Sequence, residues 1–246
     1  DIDLTLGIIA GVTTGHVARR MGAARKLTAD ALATLAEEGA EIAALGMFDQ
    51  GFYDQVGFGT GSYVSAVHFD PNTLSVTNRF RPPKRLDEDS WSDMHTAMKN
   101  RKRWHGGCWI TAPETVKAEC IWSESPFGLG YYDGENGELS HFFWGESKGQ
   151  HGPYNITMMA YQSTDQLFEL LALIKSLGDQ VNKVQMEAPA ELQFQDLLQQ
   201  PFRLRRMTEG SEHENWHEVN AEWQARILNL PACIAKTQLD AETLRF

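Results

Sequence analysis

Cysteine is scarce in this chain of 246 residues, which contains Cys108, Cys120 and Cys233 and no others. The three thiols are odd in number and widely spaced, and no Cys-x-x-Cys pair is present. This pattern indicates neither a disulfide framework nor a zinc site. We expect the three side chains to be chemically inert and partly buried.

Positive charge is also low, because 22 Lys and Arg residues face 33 Asp and Glu residues and give a formal net charge of -11. A sequence pI near 5.2 argues against a broad phosphate-binding surface, since affinity for nucleic acids depends on Lys and Arg that neutralise phosphates. We therefore predict no nucleic-acid partner. The 21 glycines and 9 prolines are neither frequent nor periodic, which excludes collagen-like and fibrous classes.

Long apolar runs are absent as well. No segment approaches the roughly 20 apolar residues that a membrane-crossing helix needs. The first residues, Asp1-Ile2-Asp3-Leu4, lack the basic region and apolar core of a secretory signal. These absences predict no membrane span and a cytoplasmic location. Because 42% of the residues are hydrophobic, the chain is expected to form one or two packed domains.

The first part of the chain predicts strands separated by one helix. Residues 4–14 are apolar and β-branched, which indicates a buried strand. Apolar positions three and four residues apart predict a helix over 19–38 that ends at Gly39. Further strands are expected at 42–48 and 62–70, on either side of a glycine-rich turn.

A second unit is predicted after a charged segment at 79–90, which contains two prolines and is typical of a linker. The predicted elements of this unit are a helix at 87–102, strands at 128–133, 139–146 and 153–161, a helix at 164–177, a strand at 181–186, a short helix at 190–199 and a strand at 202–207. The polar run 208–215 is a second candidate boundary. These patterns predict an α+β fold with mixed sheets flanked by helices. Both chain ends are apolar and strand-like, so we expect a fragment of a longer protein.

The join between the first strand and the first helix, from Thr14 to Ala24, places small residues and two arginines at a helix start. Free backbone N–H groups and the helix dipole form an anion site at such a position. The side chains of Arg19 and Arg20 add positive charge, and Gly22 lets a pyrophosphate approach the main chain closely. The alternative interpretation is a helix that begins with solvated arginines and packs closely through small residues. The Walker and dinucleotide-binding glycine patterns are both missing here.

Two motifs in this region resemble those of a known superfamily. Arg19-x-x-Gly22-x-Ala24 matches the Gln/Arg-x-x-Gly-x-Gly/Ala signature of the GCN5-related N-acetyltransferases (GNAT), in which this loop holds the acetyl-CoA pyrophosphate. The segment 51–59, GFYDQVGFG, resembles the Phe-Tyr-x-x-x-Gly-Phe segment of the same superfamily. The order of elements further resembles the enhanced intracellular survival (Eis) family, which joins two acetyltransferase-like domains to a sterol-carrier-like domain. The domains that this resemblance implies are the later part of an acetyl-CoA-binding GNAT domain at 1–78, a second GNAT-like domain without a phosphate loop at 79–215, and the start of a sterol-carrier-like domain at 216–246.

The same resemblance implies a set of residues that bind acetyl-CoA as cosubstrate, without a metal. The residues implied to contact its pantetheine arm through the main chain of a splayed strand are Val12, Thr13 and Thr14. The residues implied to wrap the pyrophosphate are Arg19, Arg20, Met21, Gly22, Ala23, Ala24 and Arg25. Phe48 and Asp49 would lie beside the cofactor at the end of the next strand. His16 and Thr14 stand where the superfamily usually has proline and valine, but neither change removes a backbone donor.

Tyr53 is the candidate general acid. A phenol with a pKa of about 10 matches a CoA thiolate of similar basicity, and Tyr53 occupies the position of the superfamily tyrosine. Its alternative role is an aromatic side chain that packs under the glycine turn. In the Eis family the base is the carboxylate of an aromatic C-terminal residue, but we expect Phe246 to be a truncation point instead. His16 could act as a base, although a loop-capping role is favoured.

A pair of histidines, His213 and His217, is spaced four residues apart among acidic residues. On a helix this spacing could ligate a metal. Because the surrounding segment reads as a polar connector, solvated surface residues are the favoured interpretation.

The function predicted from these motifs is transfer of acetyl from acetyl-CoA to a primary amine by direct attack. The acceptor is a small-molecule or peptide amine, and the acidic chain favours a cationic one such as an amino sugar, a polyamine or a lysine side chain. One alternative is a non-catalytic acyl-CoA-binding or scaffold protein that retains the loop, and another is a lipid carrier. The family resemblance implies a homo-oligomer.

Overall fold

The computed structural model describes residues 3–46, 51–61, 63–103, 111–190, 192–201, 204–208, 211–221 and 223–236. The strands are β1 (Leu6–Ile9), β2 (Ile42–Gly46), β3 (Gly59–Thr60), β4 (Val64–Phe69), β5 (Lys84–Leu86), β6 (Pro126–Tyr131), β7 (His141–Ser147), β8 (Tyr154–Ala160), β9 (Val184–Glu187), β10 (Leu204–Thr208), β11 (Ser211–Glu214), β12 (Trp216–Asn220) and β13 (Trp223–Ile227). The helices are α1 (Ala23–Glu37), α2 (Trp91–Asn100), α3 (Pro113–Trp122), α4 (Thr164–Ser176) and α5 (Leu230–Lys236). Among the described residues, no helix is long and apolar enough to cross a membrane. The chain divides into two compact units, Asp1–Tyr63 with Ala221–Phe246, and Val64–Asn220.

The first unit contains a four-stranded sheet in the order β1-β2-β13-β3. β1 and β2 are parallel and are connected through α1, whereas β13 is antiparallel to both β2 and β3. α1 approaches β1 closely at Gly7, where a Cβ would lie 2.7 Å from the side chain of Leu35, so the missing side chain permits this packing. The buried core of the unit includes Ile9, Leu32, Ala43, Leu45, Tyr53, Val56 and Phe58.

The second unit contains a seven-stranded sheet in the order β12-β4-β9-β8-β7-β6-β5 and a separate two-stranded sheet of β10 and β11. Neighbours in the large sheet are antiparallel except β8 and β9, which are parallel and connected through α4. Side chains that alternate along β7 enter two different cores. Phe143 packs in the core that contains α4, whereas Phe142 and Trp144 pack with residues of α2 and α3. Helices therefore cover both faces, and β7 is buried along most of its length.

The fold class predicted from the sequence, α+β with mixed sheets flanked by helices, is confirmed. The helix predicted at 164–177 is observed as α4, whose N-cap Ser163 accepts a hydrogen bond from the Gln166 N–H. The helix predicted from residue 19 begins only at Ala23. The reason is local, because Arg20 and Gly22 both have positive φ angles that a right-handed helix does not allow.

Several local predictions in the second unit are wrong. The linker expected at 79–90 contains β5, an edge strand of the large sheet. Charge and proline are compatible with an edge strand as well as with a linker, so composition did not distinguish them. The helix expected at 190–199 is a single 3₁₀ turn, Phe194–Leu197. The polar run 208–215 contains β11, and α3 was not predicted.

The compact units do not follow the domain boundaries expected at residues 78 and 215. β4 and β12 are neighbours in the large sheet of the second unit, and β13 is inserted in the sheet of the first unit. The segment expected to begin a third domain at 216 thus supplies one strand to each unit. Such pairing is decided by backbone hydrogen bonds between segments far apart in sequence, which local patterns do not record.

Candidate active site

The loop between β1 and α1 contains three residues with left-handed backbone angles. These are Gly11 (φ 68°), Arg20 (φ 65°) and Gly22 (φ 77°), and a residue with a side chain such as Arg20 rarely adopts this conformation. A Cβ at Gly11, Gly15 or Gly22 would meet no atom within 4 Å. The main chain at these three glycines is therefore open to a ligand.

The N-terminus of α1 is uncapped and carries no acidic residue. The N-cap residue Gly22 provides no side-chain hydrogen bond, and the first turn contains neither Asp nor Glu. The N–H groups of residues 23–25 have no intrahelical acceptor by geometry, whereas the Lys26 N–H bonds to the Gly22 oxygen at 3.0 Å. The exposed side chains of Arg19 and Arg20 immediately precede this helix end. The N–H donors that have no intrahelical acceptor, the helix dipole and the two arginines together favour the binding of an anion at this helix end.

The main chain that follows β1 leaves the described ladder. The ladder between β1 and β2 ends at the pair Ile9 and Leu45. In segment 10–14, no backbone hydrogen bond to another described residue is present. Val12 packs partly buried against the core of the unit, and Thr13 is exposed. The residues predicted to contact the pantetheine arm, 12–14, lie in this segment.

Tyr53 begins the 3₁₀ turn Tyr53–Val56 and is 3% exposed. Its ring contacts Phe52 edge-on, with centroids 5.0 Å apart at 90°, and Phe58, with centroids 6.1 Å apart at 68°. Burial raises the pKa of Tyr53, so the phenol stays protonated at neutral pH. The ring of Tyr53 therefore packs in the core, as its alternative role requires. The protonated phenol is also the form that a general acid requires.

Two side chains of β13 hold this turn, and sequence reasoning missed both. Gln224 Nε2 donates to Asp54 Oδ1 at 2.8 Å, and Arg226 Nη1 donates to the carbonyl oxygen of Val56. Each contact joins residues that are 170 positions apart. No local sequence signal could have revealed them, because the contacts exist only once β13 enters the sheet.

The remaining predicted site residues are placed as follows. Phe48 and Asp49, expected beside the cofactor, lie outside the described residues. His16 is exposed in the 3₁₀ turn His16–Ala18 of the same loop. Met21 of the loop is 76% exposed, so its apolar side chain does not pack in the core.

Comparison with known proteins finds a family model that matches the same region. Residues 1–61 match an acetyltransferase (GNAT) domain. The matched segment runs from the start of β1 through α1 and β2 to the turn that contains Tyr53, so it includes the open loop and the uncapped helix. No curated protein matches the sequence.

Solved structures with a similar fold include a GCN5-related N-acetyltransferase from Kribbella flavida, with TM-score 0.63, 18% identity and coverage of 94% of this chain and 55% of that chain. A conserved protein from Enterococcus faecalis V583 has TM-score 0.75 and 17% identity over 96% of this chain and 57% of that chain. Eis1 from Mycobacterium abscessus has TM-score 0.73 and 12% identity over 96% of this chain and 61% of that chain. At these identities the likeness shows the GNAT fold alone. The chain spans little more than half the length of these proteins.

Outside the GNAT-matching segment, the second unit contains a network of charged and polar side chains. Arg81 donates to both oxygens of Glu169 (Nε to Oε1 2.9 Å, Nη2 to Oε2 2.8 Å) and to Asp133 (Nη2 to Oδ2 2.6 Å). His141 lies with Nε2 3.1 Å from Glu169 Oε2 and Nδ1 2.8 Å from Ser140 Oγ. The polar atoms of His141 and Ser140 are bonded inside the protein, because Ser140 Oγ also donates to the Tyr131 carbonyl oxygen at 2.8 Å. We therefore interpret this Ser-His-Glu arrangement as structural.

The network fixes the protonation of its members. The guanidinium of Arg81 lowers the pKa of Glu169 to about 2, and burial lowers the pKa of His141. A neutral imidazole with its proton on Nε2 donates to Glu169. The single proton of the Ser140 hydroxyl lies between two acceptors, the Tyr131 carbonyl oxygen at 2.8 Å and His141 Nδ1 at 2.8 Å.

Replacement of Glu169 by Gln is expected to lower the free energy of unfolding by about 2 kcal/mol near neutral pH. This value is reduced for screening because the side chain of Arg81 is 56% exposed. The folded-state pKa of Glu169, about 2, lies below the unfolded value of about 4.3. The stabilisation is therefore complete above the unfolded pKa and is lost as pH falls towards about 2. Urea titrations at several pH values should show the difference between the proteins shrinking on acidification.

The control for this measurement is Glu135→Gln, an exposed acid in the same unit. Its free energy of unfolding should stay within about 0.5 kcal/mol of the parent protein. A loss in Glu169→Gln that does not change with pH would contradict the ionic role of Glu169.

The two histidines considered as metal ligands are not on a helix. His213 lies in β11 and His217 in β12, so their spacing does not place them on one helix face. Within the described ranges, no group of three or more His, Cys, Asp or Glu side chains is arranged to hold a metal ion.

Proposed function

We propose that this chain contains the cosubstrate site of an N-acetyltransferase that moves acetyl from acetyl-CoA to a primary amine by direct attack. The observation that carries the proposal is the uncapped N-terminus of α1, which directly follows a loop of open main chain. This feature lies within the segment that matches the GNAT domain, and proteins with this domain use acetyl-CoA in general. The proposed chemistry therefore rests on a candidate site for the pyrophosphate inside the segment that matches the GNAT domain.

The pyrophosphate of acetyl-CoA is proposed to bind at the start of α1. The free N–H groups of residues 23–25 and the positive end of the helix dipole favour its charge. Arg19 and Arg20 add charge-assisted hydrogen bonds, and no carboxylate in the first turn opposes them. The pantetheine arm would lie along segment 10–14 and bond to its main chain, as an added strand does.

Tyr53 is proposed as the general acid. The neutral amine attacks the thioester carbon and forms the C–N bond, and the C–S bond then breaks. The departing thiolate takes the proton of the Tyr53 hydroxyl, and the proton that the amine nitrogen loses returns to the phenolate through solvent. The phenol is protonated at neutral pH, because its ordinary pKa of about 10 lies above that range and burial raises the pKa of Tyr53 further.

One observation favours a second candidate, an acyl-CoA-binding protein without catalysis. Tyr53 is 3% exposed and its ring packs between Phe52 and Phe58. A tyrosine that serves only the core would leave a functional cofactor loop but no proton donor. The two candidates differ in whether the bound acetyl group is transferred.

The wider architecture is proposed from the Eis resemblance. In it, the second unit, Val64–Asn220, corresponds to a GNAT-like domain that binds no acetyl-CoA, and a sterol-carrier-like domain would follow β13 in the sequence. The same resemblance supports a homo-oligomer, and a cytoplasmic location is proposed from the sequence. The similarity in fold to Eis1 over 96% of this chain is the main finding behind this proposed architecture.

Calorimetric titration of acetyl-CoA, followed by an assay for acetylated products, tests the proposed function. The acceptors are spermine, glucosamine and a lysine-containing peptide, which represent the three amine classes, and acetyl phosphate replaces acetyl-CoA as the control donor. We expect one-site binding and transfer to at least one amine from acetyl-CoA only. Absence of binding would overturn the proposal, and binding without transfer to any acceptor would favour the second candidate.

A further inference from the structure

The 3₁₀ turn that carries Tyr53 depends on contacts from outside itself. Its main-chain bonds include Gly57 N–H to the Asp54 oxygen at 3.0 Å and Phe58 N–H to the Tyr53 oxygen at 3.3 Å. Turns of this type have poor hydrogen-bond geometry and persist only as short pieces. The orientation of Tyr53, the first residue of the turn, therefore depends on what holds the rest of the turn as well as on the packing of its ring.

Gln224 of β13 holds the middle of the turn. It is 0% exposed and lies between Leu45 of β2 and Thr60 of β3 in the sheet register. Its Nε2 donates to Asp54 Oδ1 at 2.8 Å, whereas its Oε1 is buried without a hydrogen-bond partner among the described residues. A buried amide with one atom unpaired is unfavourable compared with an apolar side chain of the same size. Compared with an apolar side chain, the amide of Gln224 contributes its hydrogen bond to Asp54.

Arg226 holds the end of the same turn. It lies two residues after Gln224 on β13, so both side chains project from the same face of the strand. Its Nη1 donates to the carbonyl oxygen of Val56. Its guanidinium also lies against Gly57, where a Cβ would be 3.2 Å from the Arg226 Cζ. The glycine that closes the turn with a φ of 82° thus leaves room for the arginine.

We propose that Gln224 and Arg226 are positioning residues that fix the direction of the Tyr53 side chain by clamping its turn at Asp54 and Val56. The inference rests on the proposed function, in which Tyr53 supplies the proton. A proton donor must be held within a small distance of the leaving group, and a short turn alone does not provide this precision. The clamp reaches the turn from 170 positions away, so Tyr53 is positioned only after β13 has inserted beside β2.

The test breaks the clamp from both sides in the full chain. Gln224→Met removes the amide but keeps the volume of the side chain, and Asp54→Ala removes the acceptor at an exposed position. Gln55→Met, on the same turn and exposed, is the matched control. The proteins carry 3-fluorotyrosine, and the Tyr53 fluorine resonance is assigned from its loss in Tyr53→Phe. Release of CoA is measured with spermine as acceptor.

We expect the Tyr53 resonance to move in Gln224→Met and in Asp54→Ala but not in Gln55→Met. The double variant should resemble the single variants, because both remove the same bond. The kcat is expected to fall about tenfold with the KM for acetyl-CoA changed by no more than about twofold, since cosubstrate binding does not use these residues.

An unmoved Tyr53 resonance in both single variants would overturn the inference. So would an unchanged kcat in Gln224→Met when Tyr53→Phe lowers it. If Tyr53→Phe itself leaves turnover unchanged, the acid role in the proposed function fails, and the fluorine spectra still decide whether the clamp orients the ring. The two failures are therefore distinguishable.

Discussion

Tyr53→Phe is expected to lower kcat for acetyl transfer by about 100- to 10,000-fold, the range typical of a lost general acid. The substitution removes only the hydroxyl, so the ring contacts with Phe52 and Phe58 persist. Because the proton is transferred only in the transition state, kcat and kcat/KM should fall together. Steady-state kinetics with acetyl-CoA varied at a fixed amine concentration measures both.

Tyr63→Phe is the matched control for this substitution. Tyr63 is 60% exposed and loses the same hydroxyl outside the core, so its kcat should equal that of the parent protein. Acetyl-CoA should bind to Tyr53→Phe with the affinity of the parent protein, since the phenol is not part of the pyrophosphate site. If Tyr53→Phe keeps full turnover, the hydroxyl has no catalytic role and Tyr53 serves the core alone.

The double variant Arg19→Ala, Gly22→Glu is expected to weaken acetyl-CoA binding by about 100-fold or more. Loss of one charge-assisted hydrogen bond accounts for about 2 kcal/mol, and a new carboxylate at the N-terminus of α1 opposes the pyrophosphate. Together these effects exceed about 3 kcal/mol, which corresponds to a factor of more than 100 in Kd. Calorimetry on the parent and variant proteins at one salt concentration measures the change.

The matched control is Arg79→Ala, Gly137→Glu in the second unit. Gly137 has a φ of 80° and open space around its Cβ position, as Gly22 does, and Arg79 is exposed. The backbone strain and the change in charge are therefore the same, but no binding loss is expected. Equal loss in both double variants would show that strain or net charge, and not the proposed pyrophosphate site, controls the affinity.

The parts of the fold that were predicted correctly depend on local chemistry. α1 and α4 follow from apolar spacing and helix-forming residues, and the loop before α1 follows from its glycines and small residues. The start of α1 was misplaced because Arg20 adopts a positive φ, which its residue type does not favour. α3 was missed because its apolar residues do not form a clear helical stripe, although Val116 and Cys120 are buried.

The residues of the candidate site also divide into those that the sequence indicated and those that only the structure revealed. The sequence indicated the loop before α1 and Tyr53 as candidates, because two short motifs in this segment resemble those of the GNAT superfamily. It could not indicate that Gln224 and Arg226 reach the turn of Tyr53, or that Tyr53 is buried.

What the sequence by itself determined about this protein is the α+β class and the order of the glycine-containing loop, the helix and the tyrosine turn. What only the tertiary structure decided is which strands share a sheet, and therefore where the compact units divide. β4 and β12 belong to one sheet and β13 to the other, although β12 and β13 are nearly adjacent in the chain. The physical reason is that helices and turns are stabilised by bonds between near neighbours. Strands form their hydrogen bonds with partner strands, which can lie at any distance along the chain.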